Sequence, residues 1–268
     1  MKRLYPALLA ATTLASGSLP AANIAWVSFH LNDNTPSAAA GTAGFTLAPD
    51  YAYTGMLRDH GHTVTRFLSS GTPNTAVLNT YDLVIISRSV PSGDYQDPPE
   101  TLAWNNALTA PTMILGGYVL RNSRLGFTSG GNMPDTSGTV SLKVNDPSHP
   151  IFFGVPLDSN NVMANPYAYI QTFNGVNQRG ISVNSDPVAG GGTILATIGT
   201  AGDAAFGGMI IGEWQPGAVL ANTPASTLGG HRLVFLTGSR EQGITSEGSG
   251  IYDLGPDGAQ LFLNAVNY

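Results

Sequence analysis

None of the 268 residues is a cysteine, so neither a disulfide framework nor a cysteine nucleophile is available to this chain. Charge is scarce as well: Asp, Glu, Lys and Arg together make up 10% of the sequence. The net charge of −6 leaves no basic surface to neutralise phosphates, which argues against a nucleic-acid partner. Three catalytic signatures are also missing. There is no GxSxG nucleophile elbow and no HExxH pair, and Gly190-Gly191-Gly192 lacks the Lys-Ser/Thr that a phosphate-binding loop needs. After the first residues, no apolar run reaches the roughly 18 residues of a membrane-spanning helix.

The first 22 residues have an order of their own. Lys2 and Arg3 give a basic start, Leu4 to Leu14 an apolar run, and Gly17 to Ala22 a small-residue region broken by Pro20. That is the order of a secretory signal peptide. The reading is export, to the periplasm or the medium, with cleavage after Ala22 and no membrane anchor in the mature chain. Ala15-Ser16-Gly17 offers a second small-x-small site. Residues 23–268, rich in Gly, Thr, Ser and Asn, read as one domain with long hydrogen-bonded loops.

Within that domain, Ile24–Phe29 and the alternating Thr63–Leu68 read as strands, with a helix from Asp50 to His60 between them and Gly61 as its stop. Leu83–Ser87 is a continuous apolar run, as expected of a central strand covered on both faces. Pro98 or Pro99 opens a helix through Ala107, and Thr112–Leu115 gives a fourth strand. The second half predicts strands at Val140–Val144, Ile194–Ile198, Met209–Glu213 and Arg232–Thr237, some of them antiparallel, and a closing helix over Pro256–Val266. The expected fold is α/β: a flavodoxin-like three-layer sandwich with a mostly parallel central sheet and an irregular, partly antiparallel second half.

"NDPSHPIFFGVP" (145–156), "GEWQPGAVL" (212–220), "GGHRLVFLTGS" (229–239) and "PDGAQLFLNAVNY" (256–268) resemble, in order and spacing, landmarks of the ThuA-like branch of the class I glutamine-amidotransferase-like superfamily. The likeness extends over nearly all of residues 23–268. It implies a flavodoxin-like core and, in some members, a link to sugar metabolism. Amidotransferases of that superfamily carry a cysteine on the turn after the strand matching Thr112–Leu115. Here the turn reads GGYVLRN, so the resemblance brings no glutaminase chemistry with it.

In an open parallel sheet, ligands bind beyond the carboxyl ends of the strands. That rule gathers His30 and Asp33 after the first strand, Arg88 and Ser89 after the third, and Gly117, Tyr118, Arg121 and Asn122 after the fourth. Glu213, Trp214 and Arg240 join from the later strands. His30 is a candidate general base, and Arg88 could clamp a carboxylate, stabilise an oxyanion or simply hold a loop carbonyl. Glu213 is read either as a carboxylate with a raised pKa or as the ion-pair partner of Arg88 or Arg121. Tyr118 and Trp214 could stack on a sugar ring or pack as walls. Gly116 and Gly117 are expected either to bring backbone close to a ligand or to permit close packing. His149 reads as a structural turn residue, and His60 and His62 as helix-end groups.

Three functions fit these residues. The first is a hydrolytic or acid–base enzyme acting on a carbohydrate or related polar metabolite, with His30, Arg88 and Glu213 as its catalytic groups. The second is a lactone or ester hydrolase with a metal- or carboxylate-activated water. The third is a non-catalytic extracellular glycan-binding module. Each takes a small-molecule or glycan ligand. The residues assign no cofactor, no metal-ligating set and no oligomeric state.

Overall fold

The computed structural model describes residues 21–167, 172–173, 176–177, 180–238 and 245–268. Residues 1–20 of the segment 1–22 read as a signal peptide, and Arg240, lie outside them.

The described chain is α/β, built on one nine-stranded mixed sheet. Its strands are β1 (Asn23–Ser28), β2 (Thr63–Leu68), β3 (Leu83–Ile86), β4 (Thr112–Ile114), β5 (Leu142–Val144) and β6 (Val162–Met163). After a separate two-stranded hairpin of β7 (Thr172–Phe173) and β8 (Val176–Asn177) come β9 (Thr193–Ile198), β10 (Met209–Trp214) and β11 (Arg232–Phe235). The spatial order is β2-β1-β3-β4-β11-β10-β9-β5-β6. From β2 to β11 every neighbouring pair is parallel, and from β11 to β6 every pair is antiparallel. The parallel half matches its sequence signature: all four residues of β3 are buried, as a strand covered on both faces requires.

Among the described residues, five α-helices accompany the sheet: α1 (Ala38–Thr42), α2 (Tyr51–Asp59), α3 (Thr75–Leu78), α4 (Pro98–Leu102) and α5 (Pro256–Val266). Gly61, at φ 89°, takes the left-handed conformation just past α2 that a side chain would resist. Glu100 reaches back to the Asp97 N–H at 3.1 Å to close the start of α4, which continues as a π-helical turn over Ala103–Ala107. Tyr53 of α2 and Phe262 of α5 meet at 5.4 Å, and they pack on Trp26 of β1 and Phe235 of β11 respectively. Each ring is buried, which contributes about 1.5–3 kcal/mol apiece and fixes α2 and α5 on one face of the sheet. Among the described residues, no helix is long and apolar enough to cross a membrane.

Candidate functional site

The carboxyl edge of the parallel strands, where the sequence places the site, is densely hydrogen-bonded. Asp50, fully buried, accepts from Trp26 Nε1 (2.8 Å), Ser28 Oγ (2.8 Å) and Ser87 Oγ (2.7 Å), joining the ends of β1 and β3. Arg66 stands 2.9 Å from its other oxygen, an ion pair without hydrogen-bond alignment. The same guanidinium pairs with Asp33 at 2.5 Å, alongside Arg58 and the Thr54 hydroxyl. Burial pushes the Asp33 carboxyl up, but the bond from Thr54 and the two arginines outweigh it and hold it below its ordinary value.

His30 has no lone pair left for a substrate. Its Nδ1 accepts from the Ser37 N–H at 3.0 Å, which assigns the ring proton to Nε2, and Nε2 faces the Glu247 carbonyl at 3.0 Å and Ser89 Oγ at 3.2 Å. Burial holds its pKa below that of a free imidazole. His30 and Ser89 are therefore neutral ties between loops, which corrects the general-base expectation.

Arg88, Tyr118 and Arg121 do come together. The guanidinium groups of Arg88 and Arg121 lie over the Tyr118 ring, 5.6 and 5.1 Å from its centroid. Arg121 also donates to the Tyr118 carbonyl at 2.9 Å. Close by, Asp253 accepts from Tyr53 Oη (2.6 Å) and from the Gly238 N–H (2.7 Å). Burial pushes its carboxyl up to about 6 against the pull of those two donors and of the Arg88 charge. Asn122 is exposed and borders a separate cavity of about 280 Å³ with Gln96, Arg124 and Thr223. Gly117 serves packing: its φ is not positive, and an added Cβ would collide with the Ser182 carbonyl oxygen and the Met133 side chain. Of the two readings of Gly116-Gly117, close packing is the one met at Gly117, where backbone crosses backbone.

Glu213 and Trp214 do not join this group. Strand β10 runs antiparallel to β11, with Trp214 opposite Arg232, and Arg232 is in register with Thr112 and Thr112 with Val84. The end of β10 therefore meets the beginnings of β3, β4 and β11, at the amino edge of the parallel strands. The shared cleft of Arg88, Tyr118 and Glu213 expected from the sequence is absent. Trp214 is fully buried, donates to the Ala189 carbonyl at 2.7 Å and packs edge-on against Phe127 at 5.0 Å, so it is a core residue and offers no sugar platform.

At the amino edge Glu213 lines a cavity of about 550 Å³. Leu83, Met113, Leu233 and Val266 supply apolar wall; Asp82, Gln215, His231, Asn267 and Tyr268 supply polar groups. His231 Nε2 lies 2.6 Å from Glu213 Oε1, and Tyr268 Oη donates to the same oxygen at 3.0 Å. His149 Nε2 is 3.6 Å from Glu213 Oε2 and its ring meets Tyr268 edge-on at 4.8 Å. Both ring nitrogens of His149 are buried and make no hydrogen bond among the described residues. Burial pushes the Glu213 carboxyl up, but the bonds from His231 and Tyr268 and the two imidazoles outweigh it, leaving the pKa below the ordinary value. The raised pKa and the arginine partner expected for Glu213 are both replaced by an ionised carboxylate between histidines. Burial, reinforced by that carboxylate, raises the Tyr268 phenol.

Sequence reasoning passed over His231 and set His149 aside. The signal lay in the pairing: Glu213 opposes Leu233, so His231, two residues along, shares its face as a diagonal neighbour. Among the described residues, no group of three or more His, Asp or Glu side chains is disposed to hold a metal ion.

No family model matches the chain, and no curated protein matches its sequence significantly. Solved structures do resemble it. A protein described as ThuA-like from Bacteroides uniformis superposes with a TM-score of 0.51 at 13% identity, over 91% of this chain and 89% of that one. The cytoplasmic protein STM3548 from Salmonella typhimurium gives a TM-score of 0.44 at 11% identity, over 91% and 97%. At such identity the likeness to the ThuA-like structure is one of fold.

Proposed function

We propose that the chain is an acid–base enzyme acting on a small polar metabolite of the carbohydrate kind, with His231 and Glu213 as its reacting pair in the amino-edge cavity. The observation that carries this reading is the 2.6 Å contact between His231 Nε2 and Glu213 Oε1 within a cavity of about 550 Å³, a volume suited to a small ligand. An ionised carboxylate on Nε2 fixes the imidazole tautomer and orientation and leaves Nδ1 as the ring's acceptor. Nδ1 would take a proton from a substrate hydroxyl or from water, and Glu213 would stabilise the imidazolium that forms. The same base could activate water against a lactone or ester. We propose further that this activity lies outside the cytoplasm, a reading supported by the export signal read at residues 1–22.

The test is turnover of a panel of sugar lactones, esters and glycosides by the mature protein, with His231→Asn and Glu213→Gln beside it. Loss of a general base predicts a fall in kcat of about 10²- to 10⁴-fold in either variant, with unchanged circular dichroism. Two folded variants that turn over as fast as the parent would overturn the reading.

A second reading rests on the two guanidinium groups over Tyr118: the carboxyl edge as a non-catalytic glycan-binding surface. It predicts that Tyr118→Ala weakens glycan binding while turnover of small substrates is unaltered. Equal glycan affinity in that variant would exclude it.

A further inference from the structure

His149 faces the Glu213–His231 pair from the other side of the carboxylate. It precedes the short 3₁₀ turn Pro150–Phe152 that follows β5. Asp146 ties the start of this segment, accepting from the Ser148 N–H at 3.0 Å and from its hydroxyl at 2.5 Å. Asn264 of α5 fastens the end, donating to the carbonyls of Ile151 (2.9 Å) and Phe153 (2.8 Å). The imidazole is thus held by its backbone, since neither ring nitrogen makes a hydrogen bond among the described residues. A phenyl ring would fill the same space without burying two unpaired nitrogens, so packing alone does not account for a histidine here.

The carboxylate is shared between two rings. Glu213 Oε1 takes His231 and Tyr268, whereas Oε2 accepts no hydrogen bond among the described residues and lies 3.6 Å from His149 Nε2. That spacing is long for a hydrogen bond but short for a charge interaction, and the two side chains are only 10% and 11% exposed. The other titratable groups facing His149 are His231 across the carboxylate, Tyr268 in edge-on ring contact at 4.8 Å, and Asp146 in its own turn. Asp146 is exposed, so solvent damps its influence and Glu213 dominates.

We infer that His149 is a positioning residue for the reacting pair: through the shared Glu213 carboxylate it sets how readily His231 takes a proton. The inference rests on the acid–base reading proposed above and adds its control. An N–H on His149 Nε2 steadies Oε2 and draws charge from the carboxylate, and a protonated ring would cancel that charge outright. Either way Glu213 pulls less strongly on the proton of His231, which then stays a free base to lower pH. The two rings also oppose each other, because a second positive charge on the same carboxylate gains less than the first. In turnover the proton passes between substrate and His231 Nδ1 only; His149 neither gains nor loses one.

NMR titration of the imidazole rings in the mature protein tests this without a substrate, with the five histidines assigned by single substitutions. His149→Phe should raise the His231 midpoint by about half to one pH unit, because Glu213 then bears on His231 alone. His149→Gln, whose amide N–H reaches towards the same oxygen, should return it most of the way. Glu213→Gln should lower the midpoints of both rings and erase the effect of adding His149→Phe. On a turned-over substrate, the acid limb of kcat/KM should move with the His231 midpoint, a loss of roughly three- to tenfold below it that a merely structural role would not produce. An unmoved or lowered His231 midpoint in folded His149→Phe would overturn the inference. So would a His149 midpoint that ignores Glu213→Gln, a result that needs no His149 variant to fold. Turnover lost in His231→Asn while the two midpoints stay independent would refute the role of His149 and leave the acid–base reading standing. Coupled midpoints with full turnover in folded His231→Asn would sink that reading and leave the coupling intact.

Discussion

Glu213 and Arg88 stand at opposite ends of the sheet, because β10, which carries Glu213, is antiparallel to β11, while Arg88 follows the carboxyl end of β3. The register puts Glu213 level with Ile85, three residues short of Arg88 and three strands away. At about 3.3 Å per residue and about 4.8 Å per strand, that separates Glu213 from Arg88 by roughly 10 Å along the strands and 14 Å across. Over this distance, two side chains with no shared partner should act independently. Combining Glu213→Gln with Arg88→Met is therefore expected to change unfolding free energy and turnover by the sum of the single effects, within about 0.5 kcal/mol. A coupling energy of 1 kcal/mol or more in a double-mutant cycle would contradict this.

Gly117→Ala should destabilise the protein by about 1–3 kcal/mol, because the new methyl has to displace the Ser182 carbonyl or the chain segment behind it. Urea denaturation measures the loss. Any fraction that remains folded is expected to keep its full affinity for amino-edge ligands.

Asp253 sets a pH dependence of the reverse sign to most carboxylates. Its folded value of about 6 lies above the 3.8 of an unperturbed Asp, so between these values the folded protein binds the extra proton. Stability from this group is present below about pH 4 and falls as pH rises through 6, by an amount on the order of 3 kcal/mol at about 1.4 kcal/mol per unit. Asp253→Asn should flatten the stability profile across that window. An unchanged slope between pH 4 and 6.5 in urea titrations would show that Asp253 is not the group responsible.

Arg66 is nearly buried and bridges Asp50 to Asp33. Arg66→Met leaves the buried Asp50 carboxylate without its cation, and a loss of about 3–5 kcal/mol is expected. Thermal unfolding with retained amino-edge ligand binding would confirm that the cluster supports the loops after β1 and takes no part in the reaction.

The parallel half was legible because its strands carry strong one-dimensional signals. LVII of β3 is apolar throughout, and the helix over Tyr51–Asp59 ends at a glycine that must take positive φ. Met209–Trp214 was equally legible as a strand, but its direction was not, since apolar periodicity reads the same from either end. That one sign moved Glu213 from the carboxyl edge to the amino edge and brought it His231 and Tyr268 in place of the arginines.

His30 shows a different limit. Its position after β1 follows from the sequence, yet its chemistry is decided by Ser37, Ser89 and Glu247, up to 217 residues away in sequence. A lone pair is lost or kept by such contacts, and residue type alone does not reveal it. Arg88, Tyr118 and Arg121 fared better, because their meeting depends on neighbouring parallel strands that the sequence orders directly.

The position of β11 has a consequence for how the chain acquires its shape. Among the described residues it is the last strand in sequence, and it lies between β4 and β10, joining two groups of strands that make no ladder with each other. Until Arg232–Phe235 are in place, β4 and β10 each have an open edge on the side that β11 occupies. A chain without β11 in place therefore has two unpaired edges, each able to pair with a stray strand. Pairing of four residues, Arg232–Phe235, closes both edges at once, so the two halves are sewn together along a single seam.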